Sequence, residues 1–231
     1  MAKMRTPEEE QATKEALFQV SARVFLRDGY EATSMKTLAE EAGCTTGKFY
    51  SNFSGKQEIL TMLIQKLLMK NCEEAVRYAK KSGDALLGIA VFYALIYRGS
   101  ALYENLKEIY CEGLRMPEAR LVAEQMVLEI LQASMLADKP STKNQNLMEG
   151  TEMQLAFKIA TGSIPDILSN INIIAEEERE QAFLSILMRM LATDEETCRD
   201  MIKRVQKEDS HIRDKAYDVM VKLLEGKKRR K

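Results

Sequence analysis

Tryptophan is missing from this 231-residue chain, and histidine occurs once, as His211. A single imidazole argues against His-based metal sites and against a His-dependent catalytic triad. Proline (4) and glycine (11) are scarce, and no alternating apolar–polar run long enough for a sheet appears. The four cysteines, Cys44, Cys72, Cys111 and Cys198, lie far apart with no CxxC pair. They read as small apolar side chains in a reducing compartment, with no disulfide or zinc framework. Cys44 is the one candidate for a redox-sensitive thiol. The longest apolar stretch, residues 85–97, falls short of the ~20 residues that cross a bilayer. The N-terminus, MAKMRTPEEEQATK, is polar and acidic, unlike a secretory leader. Formal net charge is −1, and residues 1–60 carry 8 Lys/Arg against 9 Asp/Glu. Neither whole chain nor N-terminal part is basic, so any phosphate binding depends on where cations sit. A cytoplasmic protein with no membrane span, no metal, no cofactor and no catalytic residues is expected.

What is present favours helix. Leu, Met, Ala, Glu and Lys dominate, all good helix formers, and an all-α fold is expected. Thr6-Pro7-Glu8-Glu9 combines an N-cap, a proline at the first helical position and a capping-box glutamate. Leu17, Val20, Val24 and Phe25 then repeat at helical spacing until Gly29. A second helix is expected over 34–42 and a third over 46–51, capped by Thr45. A fourth should open at a capping box, Ser54-Gly55-Lys56-Gln57, and run to about residue 80. Longer, more apolar helices are expected over 84–98, 100–113, 117–137, 149–172, 176–192 and 194–226. Thr193-Asp194-Glu195-Glu196 reads as a capping box, and Pro165 should kink or break its helix. The last five residues, 227–231, are all cationic and read as a solvated tail.

Residues 29–56 hold the most information. Two short helical patterns flank Gly43-Cys44-Thr45, and the second is too short and polar to be a core helix. A buried helix, a tight Gly-containing turn and a stubby exposed helix form a helix-turn-helix, which presents side chains to a DNA major groove. Gly43 should take a left-handed turn, Ala39 should be small where the helices cross, and Gly47 should allow close helix approach. Phe49 and Phe53, four apart, should pin the third helix to the core. Thr45, Thr46, Lys48, Ser51 and Asn52 are then left outside, hydrogen-bonding groups and one cation suited to phosphates and base edges. Tyr50 fits either way, ring inward or hydroxyl to a phosphate. Thr45, Ser34 and Ser54 also suit helix caps whatever the function.

This stretch resembles the DNA-binding domain of the TetR family of bacterial transcriptional regulators. The matching residues are Phe25, Gly29-Tyr30, Ala32-Thr33-Ser34, Leu38-Ala39 and Ala42-Gly43. The run continues through Thr45-Thr46-Gly47-Lys48-Phe49-Tyr50-Ser51-Asn52-Phe53 to Lys56, covering about residues 13–60. The resemblance places Ser34, Met35, Thr45, Thr46, Lys48, Tyr50, Ser51 and Asn52 against DNA and makes Lys56 a phosphate contact. Met35 also reads as a partly buried staple. Cys44, Ser51 and Asn52 depart from the family's usual residues, which bears on the operator read.

The resemblance further implies a domain over 1–60 followed by an antiparallel helical domain over 61–226 that binds a small molecule and dimerises. Phe92, Tyr93, Tyr97, Tyr103, Tyr110 and Met116 are candidate lining for an apolar pocket, and equally candidate bundle core. For the dimer interface the candidates are Ala156, Ile159, Ala160, Ser163 and Ile167 on one helix, and Phe183, Ile186, Leu187 and Met190 on another. The segment 194–226 either covers the bundle or extends the interface. The expected function is a homodimeric repressor that binds double-stranded, near-palindromic DNA and is released by a largely apolar small-molecule effector. Two rivals stay open. One is a helical protein whose N-terminal domain reads a protein partner, favoured by the neutral charge of 1–60. The other is an enzyme with a helical cavity, disfavoured by the single His and the lack of nucleophile–base spacing.

Overall fold

The computed structural model describes residues 6–141, 144, 150–169, 176–191 and 194–225. These residues form helices and no strand. The N-terminal unit comprises α1 (Pro7–Asp28), α2 (Met35–Glu41), α3 (Thr46–Tyr50) and the first turn of α4 (Lys56–Ser82). The body comprises the rest of α4, α5 (Ala85–Leu102), α6 (Glu104–Leu114) and α7 (Pro117–Met135). It continues with α8 (Gly150–Ser169), α9 (Glu176–Leu191), α10 (Glu195–Lys207) and α11 (Asp209–Glu225). The basic tail lies outside the described residues.

Local chemistry sets most helix starts. The Thr6 hydroxyl accepts from the Glu9 N–H while the Glu9 carboxylate accepts from the Thr6 N–H, at 3.3 and 3.0 Å. Ser34, Thr45, Asp84 and Asp194 cap α2, α3, α5 and α10 through their side-chain oxygens. Thr193 lies outside the described residues, and Asp194 is the cap of α10. At α4 the expected box is replaced. Gly55 is the cap residue, and the Glu58 carboxylate reaches back to the Ser54 N–H at 2.7 Å and its hydroxyl at 3.0 Å.

Two expected boundaries move. The break at Arg98-Gly99 does not occur: α5 runs through Gly99 to Leu102 and yields to α6 at the extended Tyr103. Glycine in a helix costs only about 1 kcal/mol. Keeping Arg98 buried against Glu180 and Ser100 bonded to the Ile96 carbonyl outweighs it. Conversely, 194–226 is not one helix. It divides at Glu208, where the Arg98 guanidinium draws in the Asp209 carbonyl and carboxylate. Pro165 does not end α8, which continues to Ser169.

α5 is the axis of the body. It is buried along nearly its whole length, with α4, α6, α7, α9, α10 and α11 packed round it. Among the described residues it is the one helix apolar and long enough to cross a membrane, yet 89% of it lies inside the protein. It is therefore a core helix. Cys72, Cys111 and Cys198 are buried and free, and Cys44 is half-buried. Burial, with Glu129 nearby, pushes the Cys72 thiol up to about 12, and burial raises Cys111 to about 11.

Candidate nucleic-acid interface and effector cavity

α3 is five residues long and cannot hold itself together. Phe49 and Phe53 anchor it, both essentially fully buried, with ring centroids 6.1 Å apart. Gly43 has φ +60°, which brings the Cys44 N–H back to the Ala39 carbonyl at 3.0 Å and turns the chain into α3. Ala39 is buried at the crossing. Gly47 is not a close-approach site, because a Cβ there would meet only the Thr45 hydroxyl at 3.8 Å on an open face.

The opposite face is free. Ser34, Thr45, Thr46, Tyr50 and Ser51 are exposed, and Lys48 is half-buried. Tyr50 points outward, 59% exposed, which decides between its two expected orientations. Ser34 and Thr45 also serve as caps, bonding the N–H groups of Thr37 and Lys48. Ser51 and Asn52 both donate to the Lys48 carbonyl, at 2.8 and 2.7 Å, and so close the C-terminal end of α3. Met35 is half-buried and packs on the core, in keeping with the staple alternative.

Lys56 is partly committed inside the protein. Its ammonium donates to the Tyr30 carbonyl at 2.9 Å and lies 4.2 Å from the centroid of the Tyr30 ring. With three N–H donors it keeps capacity for an outside acceptor. The neutral charge of this unit has a structural explanation. Glu58 pairs with Lys14, Glu15 with Lys66, and Arg27 with both Asp28 and Glu41. Hydrogen bonds from Arg27 hold the Asp28 and Glu41 carboxyls below the usual range. These four acids are thus answered inside the protein, while Lys48 has no ion pair among the described residues.

Sequence reasoning missed the joint between unit and body. From α6, the Asn105 amide donates to the carbonyls of Leu26 and Arg27, both at 3.0 Å, ending α1. The Glu108 carboxylate accepts from the N–H groups of Tyr30 and Glu31, both at 2.9 Å. Gly29, at φ +92°, is needed here for a second reason: a Cβ would meet Glu108 at 3.0 Å. Polar residues three apart on a helix carry no local mark of such a role.

The six candidate pocket residues are not gathered round one cavity. Phe92, Tyr93 and Tyr110 are fully buried in close-packed core. The Tyr93 hydroxyl bonds Thr161 at 2.9 Å, and Asn71 donates to the Tyr110 hydroxyl at 3.0 Å. Met116 receives the Thr61 hydroxyl, and Tyr103 is exposed. Of the six, Tyr97 lines an open cavity of about 590 Å³, which the other five do not line. Its hydroxyl is buried with no hydrogen-bond partner among the described residues, an arrangement that costs about 1–3 kcal/mol. Burial, reinforced by Glu180, raises its pKa.

The interface candidates behave differently. Ile159, Ala160, Ser163, Ile167, Phe183, Ile186, Leu187 and Met190 line one apolar groove between α8 and α9, of about 350 Å³. Ala156 does not; it is buried in its own subunit, and the exposed neighbour on that stripe is Leu155. Among the described residues no group of three His, Cys, Asp or Glu side chains is placed to hold a metal ion.

Residues 17–63 match the family model described as bacterial regulatory proteins, tetR family. The match falls on the N-terminal helix-turn-helix, which is similar to the DNA-binding domain of that family. Its sequence is 35% identical over 63 residues to the HTH-type transcriptional regulator TtgR of Pseudomonas putida. That match covers 27% of this chain and 30% of TtgR, so the chain spans under a third of the curated relative's length. The likeness in fold extends further. The crystal structure of RolR in complex with resorcinol superposes with TM-score 0.65, covering 86% of this chain and 97% of RolR at 16% identity. SmeT, the repressor of the Stenotrophomonas maltophilia multidrug efflux pump SmeDEF, gives TM-score 0.54 at 17% identity, over 80% and 93% of the two chains. At these identities the likeness is one of fold, a helix-turn-helix unit followed by a helical body.

Proposed function

We propose that the chain is a cytoplasmic, ligand-responsive transcriptional repressor that binds a near-palindromic operator as a homodimer. Residues 1–60 bind DNA, and 61–226 dimerise and receive the effector. The observation that carries the reading is the outward face of α3, with Thr46, Tyr50 and Ser51 exposed on a helix pinned from behind by two buried phenylalanines. Lys48 and the remaining capacity of Lys56 supply phosphate contacts, while Thr46, Tyr50 and Asn52 position and read. A second copy covers the α8–α9 groove, whose Ile159 and Ile186 are more than half exposed and leave water on association. The twofold axis then sets two α3 helices about 34–36 Å apart on DNA. The effector acts by favouring a conformer with the wrong spacing, and the joint at Tyr30 and Glu31 is where α6 transmits it. A repressor of an efflux pump and a resorcinol-bound protein among the structural relatives support this kind of regulation.

Operator fragments recovered by genomic footprinting provide the test. Replacing Thr46 and Tyr50 together by Ala should weaken operator binding by at least about 100-fold, two lost base or phosphate contacts, with the dimer intact in sedimentation. These two residues are chosen because Ser51 and Asn52 also hold α3 together. Unchanged operator affinity in the double variant overturns the assignment of this face.

A further inference from the structure

We propose that the cleft where the last turns of α5 meet α9, α10 and α11 is a small-molecule site. Its ligand is an uncharged, mostly apolar compound carrying one hydrogen-bonding oxygen. The inference deepens the effector reading above and rests on it for the regulatory consequence, though not for the binding itself.

Four observations carry it. The cavity, about 590 Å³, has the size of small-molecule sites. Leu102, Leu184, Ile202 and Val205 give it an apolar wall. Among its charged side chains, Arg98, Glu180, Asp209 and Arg213 pair with one another, Lys107 pairs with Glu104 outside the lining, and Arg179 completes the set. The Arg98 guanidinium, 5% exposed, donates to both Glu180 oxygens at 2.7 to 3.0 Å and to the Asp209 carbonyl at 3.2 Å. Arg213 pairs with Asp209 at 3.0 Å. A carboxylate on the ligand would meet Glu180 and Asp209 beside Arg98 or Arg213, would compete with Glu104 for Lys107, and would lose its water to do so. The group left unanswered is neutral: the Tyr97 hydroxyl, buried without a partner among the described residues. An ether, carbonyl or hydroxyl oxygen satisfies it.

The other spaces serve worse. The buried Tyr93 and Tyr110 hydroxyls already have partners, and the α8–α9 groove is lined by apolar side chains apart from Ser163 and Arg179. The cleft is also well placed. Lys107 of α6 is part of its lining, and the next residue, Glu108, holds the N–H groups of Tyr30 and Glu31. Tyr103 alone separates α5 from α6, so a ligand against Leu102 bears on the helix that grips the DNA-binding unit.

Titration calorimetry of the intact protein with 2-naphthol tests the site, with 2-naphthoate as the charged comparison. One saturable site per subunit is expected, with 2-naphthoate weaker by at least about tenfold. Tyr97→Phe should weaken 2-naphthol about three- to tenfold, the worth of one neutral hydrogen bond. Ala101→Trp and Gln206→Trp, both at exposed positions on the rim, should each weaken it by at least about tenfold by filling the space. Circular dichroism of the three variants should match the parent. Absence of saturable binding, or parent-like affinity in both rim variants, overturns the site. Parent-like affinity in Tyr97→Phe, or 2-naphthoate binding as well as 2-naphthol, overturns the ligand class. Duplex DNA binding is titrated separately, so a protein that takes 2-naphthol in the cleft but ignores DNA refutes the regulator reading and keeps the site.

Discussion

The N-terminal unit and the body satisfy their polar groups in opposite ways. In α1 to α3 the work is local: Thr6, Ser34 and Thr45 bond N–H groups three residues ahead, and Ser51 and Asn52 bond a carbonyl three or four behind. Its ion pairs sit at the surface, where each is worth little. In the body the decisive polar contacts join residues far apart in sequence and are drawn inward. Arg98 reaches Glu180, and Arg204 reaches the 2%-exposed Asp84. A surface that must meet water or a ligand keeps its polar side chains on short leashes. A bundle of many similar helices needs a few charges that fit only one arrangement, because apolar faces alone slide past each other.

The contrast breaks most sharply at Arg98. Arg98→Ala leaves Glu180 without its partner and frees the α10–α11 turn at Asp209. Removing one member of a buried pair costs about 3–5 kcal/mol. Urea unfolding followed by circular dichroism should show a loss of that size, while the amides of α1 to α3 keep their exchange protection relative to the global value. A loss under about 1 kcal/mol, the surface-pair range, would erase the distinction between the two regions.

The joint between them is the next place to press. Glu108→Ala strips the acceptor from two N–H groups, of which Tyr30 is buried and Glu31 exposed. About 2 kcal/mol of local stability should go, since hydrogen bonds to a charged acceptor are the stronger kind and one of these faces water. Hydrogen exchange is the measurement: the Tyr30 and Glu31 amides should exchange roughly 30-fold faster, with the centre of α5 unaffected. Equal acceleration throughout the chain would mean that unit and body open together and that the joint is no hinge.

The same division explains what could be read in advance. The caps at Thr6, Ser34 and Thr45, the left-handed turn at Gly43 and the buried pair Phe49 and Phe53 are sequence-local, so spacing and residue type determine them. The exposed side of α3 follows from that pair. The body resisted where distance in sequence matters. Gly99 resembles a helix stop until Arg98 is seen locked to Glu180. Nothing near Glu208 announces a break, because its cause is Arg98, more than a hundred residues earlier. The aromatic residues of α5 looked like a pocket lining and are mostly core, since helix periodicity cannot tell a filled interior from a hollow one. In α8 a single step, Ala156 for Leu155, put a residue on the wrong side, a rotation of about 100°.

The smallest effect expected lies at the surface of the N-terminal unit. The Glu58 carboxylate accepts from Lys14 at 2.8 Å and from the Ser54 N–H at 2.7 Å, and these bonds hold its pKa below the ordinary value. A depressed folded pKa means that the unfolded chain binds the proton more readily. Its stabilisation is therefore complete above the ordinary carboxylate pKa and disappears as pH falls through the lower folded value. Glu58→Gln should cost below about 1 kcal/mol at pH 7, given the partial exposure of both partners. The gap between parent and variant should close as the pH drops below about 4.3, the ordinary glutamate value. Thermal unfolding at pH 7 and pH 3 measures both. A gap that stays constant with pH would assign the effect to lost packing, and would make Glu58 behave like a residue of the body.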